Sequence, residues 1–416
     1  MKRTRSALLV MSAVAIPVLL GLFIRVRSHE PHSPVQAASG AREGEQPVVG
    51  LSAAAAPAAT PDGNTVEICD HGRFPVDEED PTAVSQTVSE LTREVRTRWL
   101  SALQDSSDLR ARATGLLLTG LLSEGKATGG APPGSIDEQT RDAMVQLAVG
   151  AADPAVYAIA VSMCGRDAGV SDVSCQQISL KRWAKMDSGN AVPWLLVARS
   201  AHQAQDSAEE AAAFSNAVTA DRFDSYGDSL YAFAAPEMPA ELTPLQRASL
   251  AIEVMGIESA LGSLELAYAG HHCSADAVQD IDVRRQCSAL AELMVSKGTS
   301  LLDVSLGLSI GARAGWSRPR VAALKQEHNA LLQAITQATP SREDELWTCS
   351  GVQRINTYFA DKARLGEVGA AREALERSGE TAQDMAEKYT QSMKKITGAA
   401  EANQQSIAPE SAPAAP

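Results

Sequence analysis

Two short stretches of this 416-residue chain carry residue types suited to chemistry. The first is Gly-His-His-Cys, Gly270 to Cys273, followed at a distance by Cys287. Imidazole and thiolate are ligands that suit zinc. The spacing matches no standard zinc site, and adjacent histidines project in different directions. Cys273 also has a nearer use, in a disulfide with Cys287. No metal site is expected. The second stretch is Gly307-Leu-Ser-Ile-Gly311, which fits the G-x-S-x-G pattern of a nucleophile elbow around Ser309. That motif needs a strand before it, a helix after it, and acid and histidine partners downstream. Here the surrounding Leu301–Trp316 stretch reads as one apolar helix, and His328 is the sole histidine downstream. Small residues in such a helix serve close packing. No P-loop, dinucleotide fingerprint or H-E-x-x-H pattern occurs. No catalytic residue and no cofactor is expected.

The six cysteines have a simpler use. They are Cys69, Cys164, Cys175, Cys273, Cys287 and Cys349. An even number with two close pairs suits an oxidising compartment. Cys164–Cys175 and Cys273–Cys287 are each expected to staple a helix–loop–helix corner. In the loop-entropy view such short closures stabilise by about 3 kcal/mol apiece. No Cys-x-x-Cys is present, so redox activity is not expected. Cys69 and Cys349 remain. A bridge between them would pin the start of the body to the C-terminal helices, although spacing does not fix connectivity.

These groups must be held by helices. Apolar residues make up 44% and charged residues 21% of the chain, the balance of a folded protein. Aromatics are 4% and alanine is abundant, which favours closely packed helix. Val84, Val88, Leu91, Val95 and Trp99 repeat at helical spacing. Runs of alternating β-branched residues bounded by turns are not found, so the fold class is all-α, an irregular helical-hairpin array. The net charge of -14 argues against nucleic acid as a partner.

The N-terminus is basic to Arg5, uncharged for nineteen residues from Ser6 to Ile24, and basic again at Arg25 and Arg27. A helix of that length rises about 28 Å, close to a bilayer's hydrocarbon thickness. Residues 1–27 are therefore expected to form an uncleaved anchor, single-pass in a bacterial inner membrane, with the body in the periplasm. A cleaved signal is the alternative, with Val35 to Ala38 a distant processing site. Residues 28–65 are Ala-, Pro-, Gly- and Ser-rich and read as a disordered linker. Residues 66–397 read as the helical body, with Glu67 to Pro81 an ordered lead-in. Residues 398–416 read as a disordered tail.

Within the body, Asp153, Asp187 and Asp221 recur at 34-residue spacing, each ahead of a predicted helix it can cap. Between Asp187 and Asp221, Trp194, Ala198, Phe214 and Ala217 place large residues opposite small ones. This stretch resembles a tetratricopeptide repeat, with hairpins at about 153–221. It lacks the repeat's usual glycine and its terminal proline. The resemblance implies stacked hairpins with a concave face for a protein or peptide. Trp183, Trp194, Arg199 and Phe214 are the candidate binding residues, although a tryptophan on a helix face is more often core. The whole chain also resembles a type of bacterial membrane-anchored envelope protein of uncharacterised activity. Cys164, Cys175, Arg182, Trp183, Asp187, Asn190, Trp194, Cys273, Arg284, Cys287, Gly315, Trp316 and Arg318 carry that likeness. The expected function is a scaffold or adaptor tethered in the envelope, with an envelope protein or peptide as partner. The alternatives are an envelope hydrolase with an unrecognised site, or a small-molecule or lipid-binding helical protein.

Overall fold

Residues 65–75, 83–122, 136–166, 173–261, 264–340 and 342–407 are described by the computed structural model. The expected anchor and nearly all of the linker fall outside them. Among the described residues, no helix is long and apolar enough to cross a membrane.

The described chain is helical apart from one β-hairpin at its start. Strands β1 (Thr65–Ile68) and β2 (Gly72–Pro75) pair antiparallel, Thr65 opposite Pro75 and Ile68 opposite Gly72. Val66 and Ile68 point inward while Thr65 and Glu67 face water. That is the period-two pattern of a half-buried strand. A four-residue run is too short for the alternation to stand out in the sequence, so the lead-in was expected to be ordered but not a sheet.

Sixteen α-helices follow among the described residues, of which the first four are α1 (Ala83–Asp105), α2 (Leu109–Leu122), α3 (Glu138–Gly150) and α4 (Pro154–Arg166). Val84, Val88, Val95 and Trp99 form the buried stripe of α1 as expected. Leu91 does not, being 37% exposed, and Thr92 takes its place with no exposure at all. The substitution works because Thr92 Oγ1 donates to the Val88 carbonyl one turn back, so no polar atom is buried unpaired. Then come α5 (Leu180–Met186), α6 (Ala191–Gln203) and α7 (Ser207–Val218). The last two form a hairpin closed by three residues.

After α7 the period ends. Residues 219–229 are not helical, and α8 (Leu230–Ala234) is barely a turn. Next are α9 (Pro244–Ala260), α10 (Leu264–His272), α11 (Ile281–Lys297), α12 (Leu301–Arg313), α13 (Arg318–Ala338), α14 (Glu343–Leu346), α15 (Cys349–Ser378) and α16 (Ala382–Ile407). The sequence suggests one final helix, but Gly379 at φ 68° separates α15 from α16. Only glycine adopts that conformation cheaply. Helix α16 also runs to Ile407, past the expected start of the tail.

The helices do not form an open row. Helix α15 turns back to pack on α9 and α8, and α9 packs on α1. Trp99, fully buried, donates Nε1–H to the Ala234 carbonyl at 3.2 Å. The Tyr231 and Phe359 rings meet at 4.8 Å. One continuous core thus runs from Val66 to Ala370. The three disulfides are Cys69–Cys349, Cys164–Cys175 and Cys273–Cys287.

Candidate functional site

The α6–α7 hairpin is joined to its neighbours by a polar knot. Asn190 has no exposed surface, and its side chain reads the backbone of a second loop. Its Nδ2 donates to the Asp224 carbonyl at 2.7 Å, and its Oδ1 accepts from the Asp224 N–H at 3.0 Å. The two residues are 34 apart in sequence. Oδ1 also caps α6 through the Val192 N–H. Asp187, 3% exposed, sits behind Asn190 and accepts from Asn190 Nδ2, from Arg222 and from the Tyr226 hydroxyl. Asp187 is thus the centre of the knot; it ends α5 as its C-cap, and Asn190, not Asp187, caps the start of α6. Of the three regularly spaced aspartates only Asp153 caps the helix that follows it, through Ala155 N–H at 2.8 Å. Burial, and then Asp228 nearby, push the Asp224 carboxyl up to about 6. Replacing Asn190 by Ala orphans the Asp224 amide and carbonyl and removes the α6 cap. A loss of about 3 kcal/mol is expected in urea denaturation, and a loss under about 1 would show that water fills the gap.

The candidate binding residues divide in two. Trp183 and Phe214 are core, 2% and 1% exposed. Trp194 and Arg199 are half-buried on α6. Trp194 donates Nε1–H to the Ser188 carbonyl, tying it to the knot. The structure brings Phe214 instead against His272, ring centres 4.0 Å apart.

Ser309 lies inside α12, with helix on both sides, so the strand–turn–helix of an elbow is absent there. The two glycines have a packing role. A methyl group on Gly307 would come within 2.8 Å of Met294 Cβ, and one on Gly311 within 2.6 Å of the Trp316 ring. His328 is engaged through Nε2 with the Leu301 carbonyl at 3.0 Å. Cys69, Asp70 and Cys349 lie close enough together to resemble a metal group, but both sulfurs are in the disulfide. A shallow recess of about 270 Å³ lies beside Trp316, Arg318 and Lys325.

The Gly270–Cys273 motif acquires partners that the sequence did not reveal. His271 and His272 end α10, His202 ends α6, and Glu210 lies near the start of α7. Tyr268 donates its hydroxyl to Glu210 Oε1 at 2.8 Å. His202 Nδ1 lies 3.1 and 3.2 Å from the two Glu210 oxygens, and His272 Nδ1 lies 3.5 Å from Oε1. Tyr268 Oη and His272 Nδ1 are 3.3 Å apart. Burial raises the Glu210 carboxyl, but the Tyr268 and His202 hydrogen bonds and both imidazoles outweigh it and hold it below its ordinary range. Burial lowers His272. At neutral pH the acid is charged and that imidazole neutral. The clue missed in the sequence is His202 in the last turn of α6, which matters only once α10 is known to pack on α6.

A second polar group lies deeper. The Lys362 and Glu258 side chains, 7% and 4% exposed, pair at 2.5 Å between α15 and α9. Glu258 also accepts from the Tyr231 N–H at 3.0 Å, and Glu367 from the Leu301 N–H at 2.9 Å. Burial pushes Glu258 up to about 7 despite Lys362. Buried Glu265 likewise reaches about 7, and buried Asp303 is raised. Glu258, Lys362 and Glu367 join neighbouring elements, whereas Asp303 closes the capping box of its own helix with Ser300. Comparison of the chain with protein-family models, with curated proteins and with solved structures finds no match in any of the three.

Proposed function

We propose that this protein is a membrane-tethered scaffold or adaptor of a bacterial envelope, its body held outside the cytoplasm by the apolar N-terminal segment. The observation that carries this reading is the Asn190–Asp224 pairing. It binds two loops 34 residues apart by reciprocal hydrogen bonds, the interval of one tetratricopeptide repeat. Three closed cysteine pairs support an oxidising compartment. The docking face in this reading is the outer side of α6, where Trp194 and Arg199 are half-buried and Ser200 and Gln203 are exposed.

The test uses the full chain in a bacterial host. It is expected to fractionate with membranes, to resist protease until the outer membrane is opened, and to show six oxidised cysteines on alkylation. A photo-reactive residue at Ser200 is expected to crosslink one discrete envelope protein. Arg199→Ala should abolish that product, and Arg199→Lys, which keeps a positive charge beside buried Glu265, should weaken it without moving the melting temperature. Reduced thiols in a cytosolic chain would end the envelope reading, and a crosslink pattern indifferent to Arg199→Ala would remove the docking face.

A further inference from the structure

The group at the end of α10 has the make-up of a divalent-metal site. Three donor atoms surround Glu210 Oε1: Tyr268 Oη, His202 Nδ1 and His272 Nδ1. They lie 2.8, 3.1 and 3.5 Å from that oxygen. Ligands at about 2.0–2.1 Å from a tetrahedral zinc ion are about 3.3 Å from each other. The helix ends reinforce the match. His202 is in the last turn of α6 and His272 in that of α10. Two carbonyl ends, each with partial negative charge, lie beside an ionised carboxylate and favour a cation, offset in part by the positive amide end of α7, whose first turn carries Glu210. The Cys273–Cys287 disulfide begins one residue after His272 and fixes that end of α10 to α11.

We infer that His202, Glu210 and His272 form a binding site for a first-row divalent cation of the zinc class, with Tyr268 orienting the carboxylate through its hydrogen bond. His271, exposed and with its ring 5.6 Å from that of His202, is placed to supply a further nitrogen. The two imidazoles now flank Glu210 and do not bring their nitrogens within ligand distance of each other. Capture therefore draws the His202 ring inward. That side chain is 49% exposed and has room to turn. His272, 21% exposed and stacked on Phe214, is the fixed ligand. An orienting hydrogen bond of the Tyr268 kind is what metal-binding carboxylates use. The site would clamp α10 to the α6–α7 hairpin, so a metal would stiffen the proposed docking face. The site itself stands whether or not that face binds a protein.

The experiment is titration of the metal-stripped full chain with zinc chloride at pH 7.5, followed by calorimetry. One ion per chain is expected, with affinity falling at least about tenfold in each of His202→Gln, Glu210→Gln and His272→Gln. X-ray absorption at the zinc edge should show two or more imidazole ligands. His71→Gln, on the distant β-hairpin turn, should leave binding unchanged. His202→Gln alters an exposed side chain, so its fold is expected to persist even if Glu210→Gln fails to accumulate. Its unchanged melting temperature without metal would confirm that. Absence of binding at 100-fold excess of zinc, or equal affinity in wild type and His202→Gln, would overturn the assignment.

Discussion

Replacing Cys69 and Cys349 together by serine is expected to lower the stability of the body by about 5 kcal/mol, more than the loss of either other bridge. The reason is loop length. This bridge joins residues 280 apart, whereas the others span 11 and 14. A longer closed loop removes more conformations from the unfolded chain, and the two short bridges are worth about 3 kcal/mol each on the same scale. The folded side adds a local effect. The Cys69 N–H donates to the Trp347 carbonyl at 2.9 Å, and Ile68 is fully buried. A two-stranded hairpin has little stability of its own. Without the covalent link, β1 and β2 should open more readily than the helices. Hydrogen exchange should therefore quicken at residues 66–69 well before the rest, and the melting temperature should drop by about 5–10 °C. A double variant that melts within a degree of wild type, with those amides still protected, would show that side-chain packing holds the lead-in and that the bridge is redundant.

The features legible in the sequence were those with a local cause. The α1 stripe follows from spacing, and its one error, Leu91 for Thr92, arose because a threonine that bonds its own helix looks polar in a pattern. The two short disulfides follow from proximity along the chain. The 34-residue spacing of aspartates drew attention to a real joint, but for the wrong residue and reason. Asn190 makes the joint and Asp187 supports it, because a side-chain amide, unlike a carboxylate, can donate to one loop carbonyl and accept from the same loop's N–H. What stayed hidden was long-range. The closure of α15 on α9 and α8 depends on Lys362 meeting Glu258, 104 residues away, and no periodicity encodes that. The same holds for His202 and His272, which become neighbours only through the packing of α6 on α10.

Replacing Lys362 by Met should cost about 3–5 kcal/mol at pH 8, and distinctly less at pH 5.5. Among the described residues the lysine is the cation paired with the buried Glu258 carboxylate. Burial alone would lower Lys362, but Glu258 and Glu367 hold it above its ordinary range, so it remains charged throughout this window. Methionine fills its volume but removes the charge that holds Glu258 down, so at pH 8 the folded variant either strands the carboxylate or takes a proton from a dilute pool, and both cost stability. At pH 5.5 the carboxyl, already at about 7 in the wild type, takes a proton and the penalty fades. The wild type should show the same chemistry in its own pH profile. Glu258 and Glu265 titrate near 7 when folded and near 4.5 when unfolded. Between those values the folded state binds more protons, so stability falls as pH rises. Asp224 at about 6 and the raised Asp303 and Glu367 act in the same sense. The lowered His272 and His328 oppose them, since an imidazole depressed on folding favours higher pH. Five acids against two imidazoles place the maximum on the mildly acidic side. The lowered Glu210 and Asp137 erode stability only below the ordinary carboxylate range. Urea denaturation of wild type and variant at pH 8 and 5.5 decides both points. Equal costs at the two pH values would mean that Glu258 is not the group left stranded. The closure of α15 on α9 would then rest on the Tyr231–Phe359 contact and the surrounding apolar packing instead of on charge.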